Sequence, residues 1–256
     1  MVREQRLVFG EVADAYQRAR PPYPAALFDA IVSIAGAETG DAVFEIGAGT
    51  GKATEGFVER GLRVTAAEPS AGMAAVLRSR FPDVVVHDSG FEDCAAEPNV
   101  FTIVAAAQSW HWVDPVIGPE RAAALLRPDG WIALFWNRPD LGGSIWHDEL
   151  QPIYQQVTPH MTHANNRLTL ADNLERAAVQ LGRSRRFGPC VTEEFGWTGR
   201  YTTREYIDLL GTYSDHRILP EEQRAELHGS IADWLDARGG VIDHPFVAEL
   251  VAGQVR

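Results

Sequence analysis

Between Ala42 and Trp136 the chain alternates short, nearly unbroken apolar runs with longer segments whose apolar residues recur at helical spacing. That rhythm admits few folds. A strand that is apolar at almost every residue must be covered on both faces, and the natural covers are the crossover helices that join parallel strands. The expected strands are Ala42 to Ile46, Leu62 to Ala67, Val84 to His87, Phe101 to Ala106 and Trp131 to Trp136. The fold class that follows is α/β, a doubly wound and mostly parallel sheet with helices on both faces. Ser70 is the expected N-cap of the helix "AGMAAVLRSRF", which Pro82 and Asp83 close. "RPDG" at Arg127 to Gly130 turns the chain into the fifth strand.

After Trp136 the pattern changes. "NRPDLGG" reads as a loop, and the polar segments from Leu141 to Leu181 are expected to cap the crevice at the carboxyl ends of the strands. "RRFGPCVTEEFGW" reads as a further strand, "TTREYIDLLGTYS" and "PEEQRAELHGSIADWLDAR" as helices, and "HPFVAELVAG" as a last strand or a short helix. No repeat or low-complexity tract divides the chain. With 256 residues, 45% of them hydrophobic, one core running from 1 to 256 is expected: a cofactor-binding core over 41–137, a cap over 141–181 and a C-terminal part of the core over 182–256.

The formal net charge of -12 disfavours phosphate backbones and anionic lipid, so neither nucleic acid nor membrane is an expected partner. The N-terminus lacks a signal-peptide core and no run is long enough to span a bilayer, which reads as a cytoplasmic protein. Cys94 and Cys190 are too few and too far apart for a disulfide framework or zinc site. His160 and His163 lack further ligands nearby, so no metal is expected. "RSRR" at Arg183 to Arg186 reads as a solvated edge.

Gly47, Gly49 and Gly51 fall where the first strand ends and a helix begins. Glycines there take positive φ and admit a ligand close to the backbone, beside the unpaired N–H groups of a helix start. A dinucleotide fingerprint needs glycine at position 52, which holds Lys52, and a P-loop needs GK[ST] where this chain has "GKA". A ligand with a ribose and an adenine but little phosphate suits such a turn. Glu68, ending the next apolar run, is placed to accept from two ribose hydroxyls, and Glu45 adds a second carboxylate that favours a positively charged ligand.

With Glu45 followed by G-x-G-x-G, this stretch resembles the class I S-adenosylmethionine-dependent methyltransferases, as do "FED" at Phe91 to Asp93, "AAAQSWHWVDP" at Ala105 to Pro115 and "LLRPDGWIALFWN" at Leu125 to Asn137. "FGEVADAYQRARPPYP", Phe9 to Pro24, is similar to the leading segment of small-molecule methyltransferases related to trans-aconitate methyltransferase. The resemblance implies a Rossmann-like methyltransferase fold with a seven-stranded sheet, a helical cap and an N-terminal helical lid over 1–40. It implies S-adenosyl-L-methionine as cofactor, S-adenosyl-L-homocysteine as product and a small-molecule acceptor, in a monomer or homodimer. The cofactor contacts it implies are Tyr16, Arg20, Glu45, Gly47, Ala48, Gly49, Thr50, Gly51, Glu68, Pro69, Met73, Gly90, Phe91, Glu92, Ala107 and Gln108.

For the acceptor two chemistries stay open. A neutral hydroxyl or amine calls for a base, and His111 in "SWHWVDP" is the best-placed candidate. A carboxylate needs none, and an arginine would orient it, with Arg20 and Arg138 as candidates. Trp110 and Trp112 are candidate acceptor contacts or plain cleft wall. A catalytically silent cofactor-binding sensor is the alternative to an enzyme. An NAD-dependent oxidoreductase lacks its glycine at position 52. A DNA amino-methylating enzyme lacks its Asn/Asp-Pro-Pro-aromatic motif after the fourth strand.

Overall fold

The computed structural model describes residues 19–140, 145–161 and 165–256. Seven strands form one sheet in the order β3-β2-β1-β4-β5-β7-β6. Five of them run parallel: β1 (Ala42–Ile46), β2 (Arg63–Ala67), β3 (Val85–His87), β4 (Phe101–Ala107) and β5 (Leu126–Pro139). The last two, β6 (Val191–Thr202) and β7 (Val241–Gln254), pair antiparallel, with β7 inserted between β5 and β6. The expected α/β class and mostly parallel seven-stranded sheet are therefore what the chain forms. "HPFVAELVAG" is strand, the first of its two expected forms.

Both faces of the sheet are buried, as its unbroken apolar runs require. On one face Val43, Val64, Ile103, Ala105 and Phe135 pack under α1 (Ala25–Ala35), α2 (Lys52–Val58) and α3 (Ala71–Arg80). On the other, Phe44, Ile46, Val104, Ala106 and Leu134 pack under α4 (Ile117–Leu125) and the C-terminal half of a second helix. The two helices of the 141–181 region diverge. α5 (Ile145–Val157) joins a separate cluster, whereas α6 (Asn165–Ser184) sends Ala177 and Leu181 into the sheet core.

That separate cluster lies where β6 and β7 extend past the parallel strands. Leu150 and Tyr154 of α5, Tyr206 and Leu209 of α7 (Thr203–Leu210), the short α8 (Ser214–Arg217), and Leu227, Ile231 and Leu235 of α9 (Glu221–Asp236) gather around Ile242 and Phe246. α7 starts on a capping box in which the Thr202 hydroxyl accepts from Glu205 N–H and the Glu205 carboxylate accepts from Thr202 N–H. Ser70 does occupy the N-cap of α3, but its hydroxyl makes no capping bond; its own N–H donates to Glu68 instead. The "RPDG" stretch is absorbed into β5 as a register shift opposite Phe101 and Ile103, with Asp129 at φ +64°.

Candidate active site

In a doubly wound sheet the crevice forms where the winding reverses, here between β1 and β4 at their carboxyl ends. A cavity of about 550 Å³ opens there. Its floor is the β1–α2 turn. Gly47, Gly49 and Gly51 have φ of +64°, +59° and +86°. A Cβ on Gly47 would lie 2.7 Å from Ser109 Cβ, and one on Gly51 would lie 2.7 Å from Leu77 and Phe81. Those two glycines are fixed by protein packing. At Gly49 the nearest atom is Met73 Sδ at 3.8 Å, so this turn's approach to the cavity is left open at that residue.

Glu68 follows the last residue of β2 and stands on the cavity wall, with Oε2 accepting from Gly49 N–H at 2.8 Å and Oε1 from Ser70 N–H at 2.8 Å. Burial raises its pKa above the usual carboxylate value, and the two backbone donors oppose that rise. Each oxygen keeps a lone-pair direction for a further donor. Glu68 thus both shapes the glycine turn and faces the cavity.

Glu45 behaves differently, and its expected place beside a cation is corrected. Strand parity puts it on the face of Val43, toward α2, where Thr54 Oγ1 donates to its Oε2 at 2.6 Å and Oε1 has no partner. Burial, opposed by the Thr54 bond and helped by the Glu68 charge, pushes its pKa up to about 8. Off the wall and protonated at neutral pH, Glu45 supplies no second negative charge there. Ala48, Thr50 and Gly51 are likewise buried behind the turn rather than on the wall.

The remaining wall comes from loops after β3, β4 and β5. Gly90, Phe91 and Glu92 border it, with the Phe91 ring 5.8 Å from that of Phe44 and Glu92 Oε1 accepting from Asp114 N–H at 2.9 Å. Pro69, Met73, Ala107 and Gln108 also line it. Gln108 sits at φ +55°, and its Nε2 donates to Asn137 O at 2.7 Å. Asn137 is a junction: its Nδ2 donates to Pro22 O at 3.0 Å and its Oδ1 accepts from Trp197 Nε1 at 3.0 Å, which ties the chain after Arg20 to β5 and β6.

Of the acceptor candidates, His111 and Trp112 reach the wall, His111 exposed and with its ring 4.9 Å from that of Trp112. Trp110 does not. It turns inward, buried in the sheet core, and its Nε1 donates to Gln180 Oε1 of α6 at 2.9 Å. Arg138 is also removed from the acceptor set, because it pairs with Glu249 of β7 and Glu194 of β6 across the sheet. Arg20 lines the cavity and donates to Thr212 O at 3.0 Å, with its guanidinium 4.9 Å from the Tyr213 ring centre. Tyr16 and His163 lie outside the described residues.

Three wall residues carry no motif: Thr212, Arg217 and Ile218. They belong to the connection from α7 to α9, bounded by Gly211 and Pro220, and it is this stretch that borders the cavity among the described residues, with none from 145–161 or 165–181. The one available signal was that the connection is long for a helix–helix link.

The methyltransferase-domain family model matches residues 44–134, the β1-to-β5 half of the sheet. An uncharacterized methyltransferase of Mycobacterium tuberculosis is 35% identical over 226 residues, covering 88% of this chain and 84% of that one. A methyltransferase-like protein of Schizosaccharomyces pombe is 25% identical over 222 residues, covering 86% of this chain and 82% of its own length. Among solved structures, a putative type II methyltransferase from Anaeromyxobacter dehalogenans superposes with TM-score 0.64 at 22% identity, over 93% of this chain and 97% of that one. A Haemonchus contortus phosphoethanolamine N-methyltransferase 2, in complex with phosphomonomethylethanolamine and S-adenosylhomocysteine, gives 0.57 at 17% identity, over 100% of this chain and 59% of that one. These two likenesses speak to fold alone. Through the glycine turn, the sheet order and above all the mycobacterial relative that aligns along most of both chains, this protein belongs to the class I S-adenosylmethionine-dependent methyltransferase family.

Proposed function

We propose that this chain transfers a methyl group from S-adenosyl-L-methionine to a small-molecule acceptor held in the cavity between β1 and β4. The single observation that carries the reading is the pairing of Gly49 and Glu68: a left-handed glycine whose missing side chain leaves the cavity open, bonded to a carboxylate that stands on the same wall. When bound, the cofactor supplies an already activated methyl group.

The residues divide the cofactor between them. Gly49 admits the methionyl part, with Gly47 beside it on the wall, and Glu68 accepts from the ribose hydroxyls. Pro69, Met73, Gly90, Phe91 and Glu92 surround the adenine, while Ala107 and Gln108 close the side next to the acceptor. Arg20, on the strand-facing segment that Asn137 holds, meets the methionyl carboxylate, with Tyr16 as its expected partner. Ala48, Thr50, Gly51 and Glu45 act from behind by fixing the turn. What remains for the protein is to align the acceptor with the departing sulfur.

A small acceptor is supported by the cavity volume and by the acidic surface, which opposes nucleic acid. The likeness of Phe9 to Pro24 to the trans-aconitate methyltransferase subgroup points the same way. The Haemonchus neighbour, whose complex holds a small molecule beside S-adenosylhomocysteine, adds support. Titration calorimetry tests the reading: heat with S-adenosylhomocysteine and none with NADH is expected. Heat with NADH alone would overturn it.

A further inference from the structure

We propose that Asn137 is a positioning residue for the cofactor pocket: from behind the wall it fixes Gln108 and the strap 20–24, whose Arg20 borders the cavity. This rests on the methyltransferase reading above and adds a residue that builds its site. Asn137 lies near the end of β5, two residues past Phe135, where the ladder to β4 stops at Ala107. Gln108 N–H still donates to Phe135 O at 3.0 Å, and the chain then turns away at φ +55°. The next β5 carbonyl on that side belongs to Asn137. The Gln108 side chain meets it, Nε2 donating to O at 2.7 Å, in the place of a further β4 backbone N–H. A wall residue is thereby clamped by main chain and side chain to the same strand.

The Asn137 side chain fastens the strap. Its Nδ2 donates to Pro22 O at 3.0 Å and its Oδ1 accepts from Trp197 Nε1 at 3.0 Å. The indole nitrogen can only donate and the carbonyl can only accept, so both partners fix the same orientation of the amide. Aspartate lacks the donor. Pro21, Pro22 and Pro24 lock φ along the strap and bias the residue before each of them to extended backbone, so Pro22 and Arg20 move as one piece. The far end is tied as well: Arg20 Nη2 donates to Thr212 O at 3.0 Å, and its guanidinium lies 4.9 Å from the Tyr213 ring centre. The strap therefore bridges β5 and the α7–α8 connection along one edge of the cavity, with Arg20 as wall and Asn137 as its fastening.

The test titrates the full chain with S-adenosylhomocysteine by calorimetry, with urea unfolding in parallel. Asn137→Asp keeps the acceptor for Trp197 but sets an oxygen against Pro22 O, so the strap is docked for a smaller fraction of the time and affinity falls in proportion. A loss of about tenfold is expected, the scale of one hydrogen bond replaced by a facing pair of acceptors. Asn137→Ser withdraws both contacts without adding charge. It should lose affinity in the same direction, and it gives a reading that does not depend on how N137D folds. Trp197→Phe removes the other partner and leaves the Pro22 contact, so affinity within about twofold of wild type is expected even where stability drops. Coupling through the strap is read in an Arg20→Gln background: with the far end already released, N137D should add a loss of no more than about threefold. A residue that merely supports the fold would weaken binding equally in both backgrounds. The proposal is overturned if N137D and N137S bind within about twofold of wild type, if W197F weakens affinity as much as they do, or if N137D costs as much with Arg20→Gln as without it. Failure of S-adenosylhomocysteine to bind the wild type would instead sink the methyltransferase reading itself.

Discussion

The parallel strands β1 to β4 and the antiparallel pair β6 and β7 meet the cavity in different ways. Each parallel strand ends at the crevice and delivers its next one to four residues straight onto the wall, so Gly47, Glu68, Gly90 and Gln108 are placed by the sheet itself. The antiparallel pair runs past the crevice and builds a separate apolar cluster, from which, among the described residues, the connection Thr212 to Ile218 returns to the cavity. The proposed cofactor contacts are thus tied to the most regular part of the fold. The wall from Thr212 to Ile218 hangs instead on a helical annex with its own apolar cluster.

Gly49→Val is the strongest way to test that separation. A branched side chain at φ +59° enters the open cavity, its Cβ having Met73 Sδ, at 3.8 Å, as its nearest neighbour. S-adenosylhomocysteine affinity is expected to fall by about a hundredfold or more, the equivalent of several kcal/mol, while the backbone strain costs only about 1–2 kcal/mol of stability. Calorimetry and a denaturant melt read the two quantities. Unchanged affinity would remove Gly49 from the cofactor site. In the annex the converse is expected. Leu227→Ala empties space among Leu150, Tyr206 and Ile231 and should cost about 2–5 kcal/mol in urea unfolding. Its affinity for S-adenosylhomocysteine should hold, and a parallel loss of affinity would show that the two halves are one cooperative site.

Within the parallel half, two carboxylates that look equivalent in sequence separate by strand parity. Burial pushes the Glu45 pKa up to about 8 in the folded chain, against an ordinary value of 4.5. Between those values the folded state holds a proton that the unfolded chain has released, so stability falls as pH rises through that window. The slope approaches about 1.4 kcal/mol per pH unit. Glu45→Gln keeps an acceptor for Thr54 and cannot ionise, so its stability relative to wild type should rise steadily from pH 5 to pH 8. A constant offset across that range would mean that Glu45 ionises normally.

β1 was legible to the residue because a strand covered on both faces has sharp apolar limits, and Glu68 was legible because it follows the last apolar residue of β2. Glu45 was misjudged by ignoring the two-residue period that the same run displays: Phe44 and Ile46 share one face, so Glu45 must share the other with Val43. Trp110 and Trp112 divide for a related reason, since a 3-10 turn sends one inward and the next but one outward. β7 stayed ambiguous because an antiparallel strand buried on both sides has the same unbroken apolar run as a buried helix. Arg217 had no local signal at all. Its place depends on where α5 and α9 pack, which is information spread over some eighty residues of chain.

The smallest expected effect probes that packing through pH. Burial, with the neighbouring His228 adding to it, depresses the His216 pKa to about 4, below the ordinary 6.5, and burial lowers that of His228 as well. The groups around the pair are Tyr154 and Tyr213, both with raised pKa, and Asp215 and Arg224. Between pH 6.5 and 4 the unfolded chain takes up a proton that folded His216 refuses. Stability is therefore intact above pH 6.5 and is lost as pH falls, with a slope approaching about 1.4 kcal/mol per unit for one such histidine. His216→Gln keeps a polar partner for Tyr154 and cannot titrate, so urea unfolding at pH 7, 6 and 5 should give a shallower decline than in wild type. If the decline is as steep in the variant, the proton belongs to His228 or to the carboxylates. If it flattens, the buried His216 carries the proton linkage of this cluster.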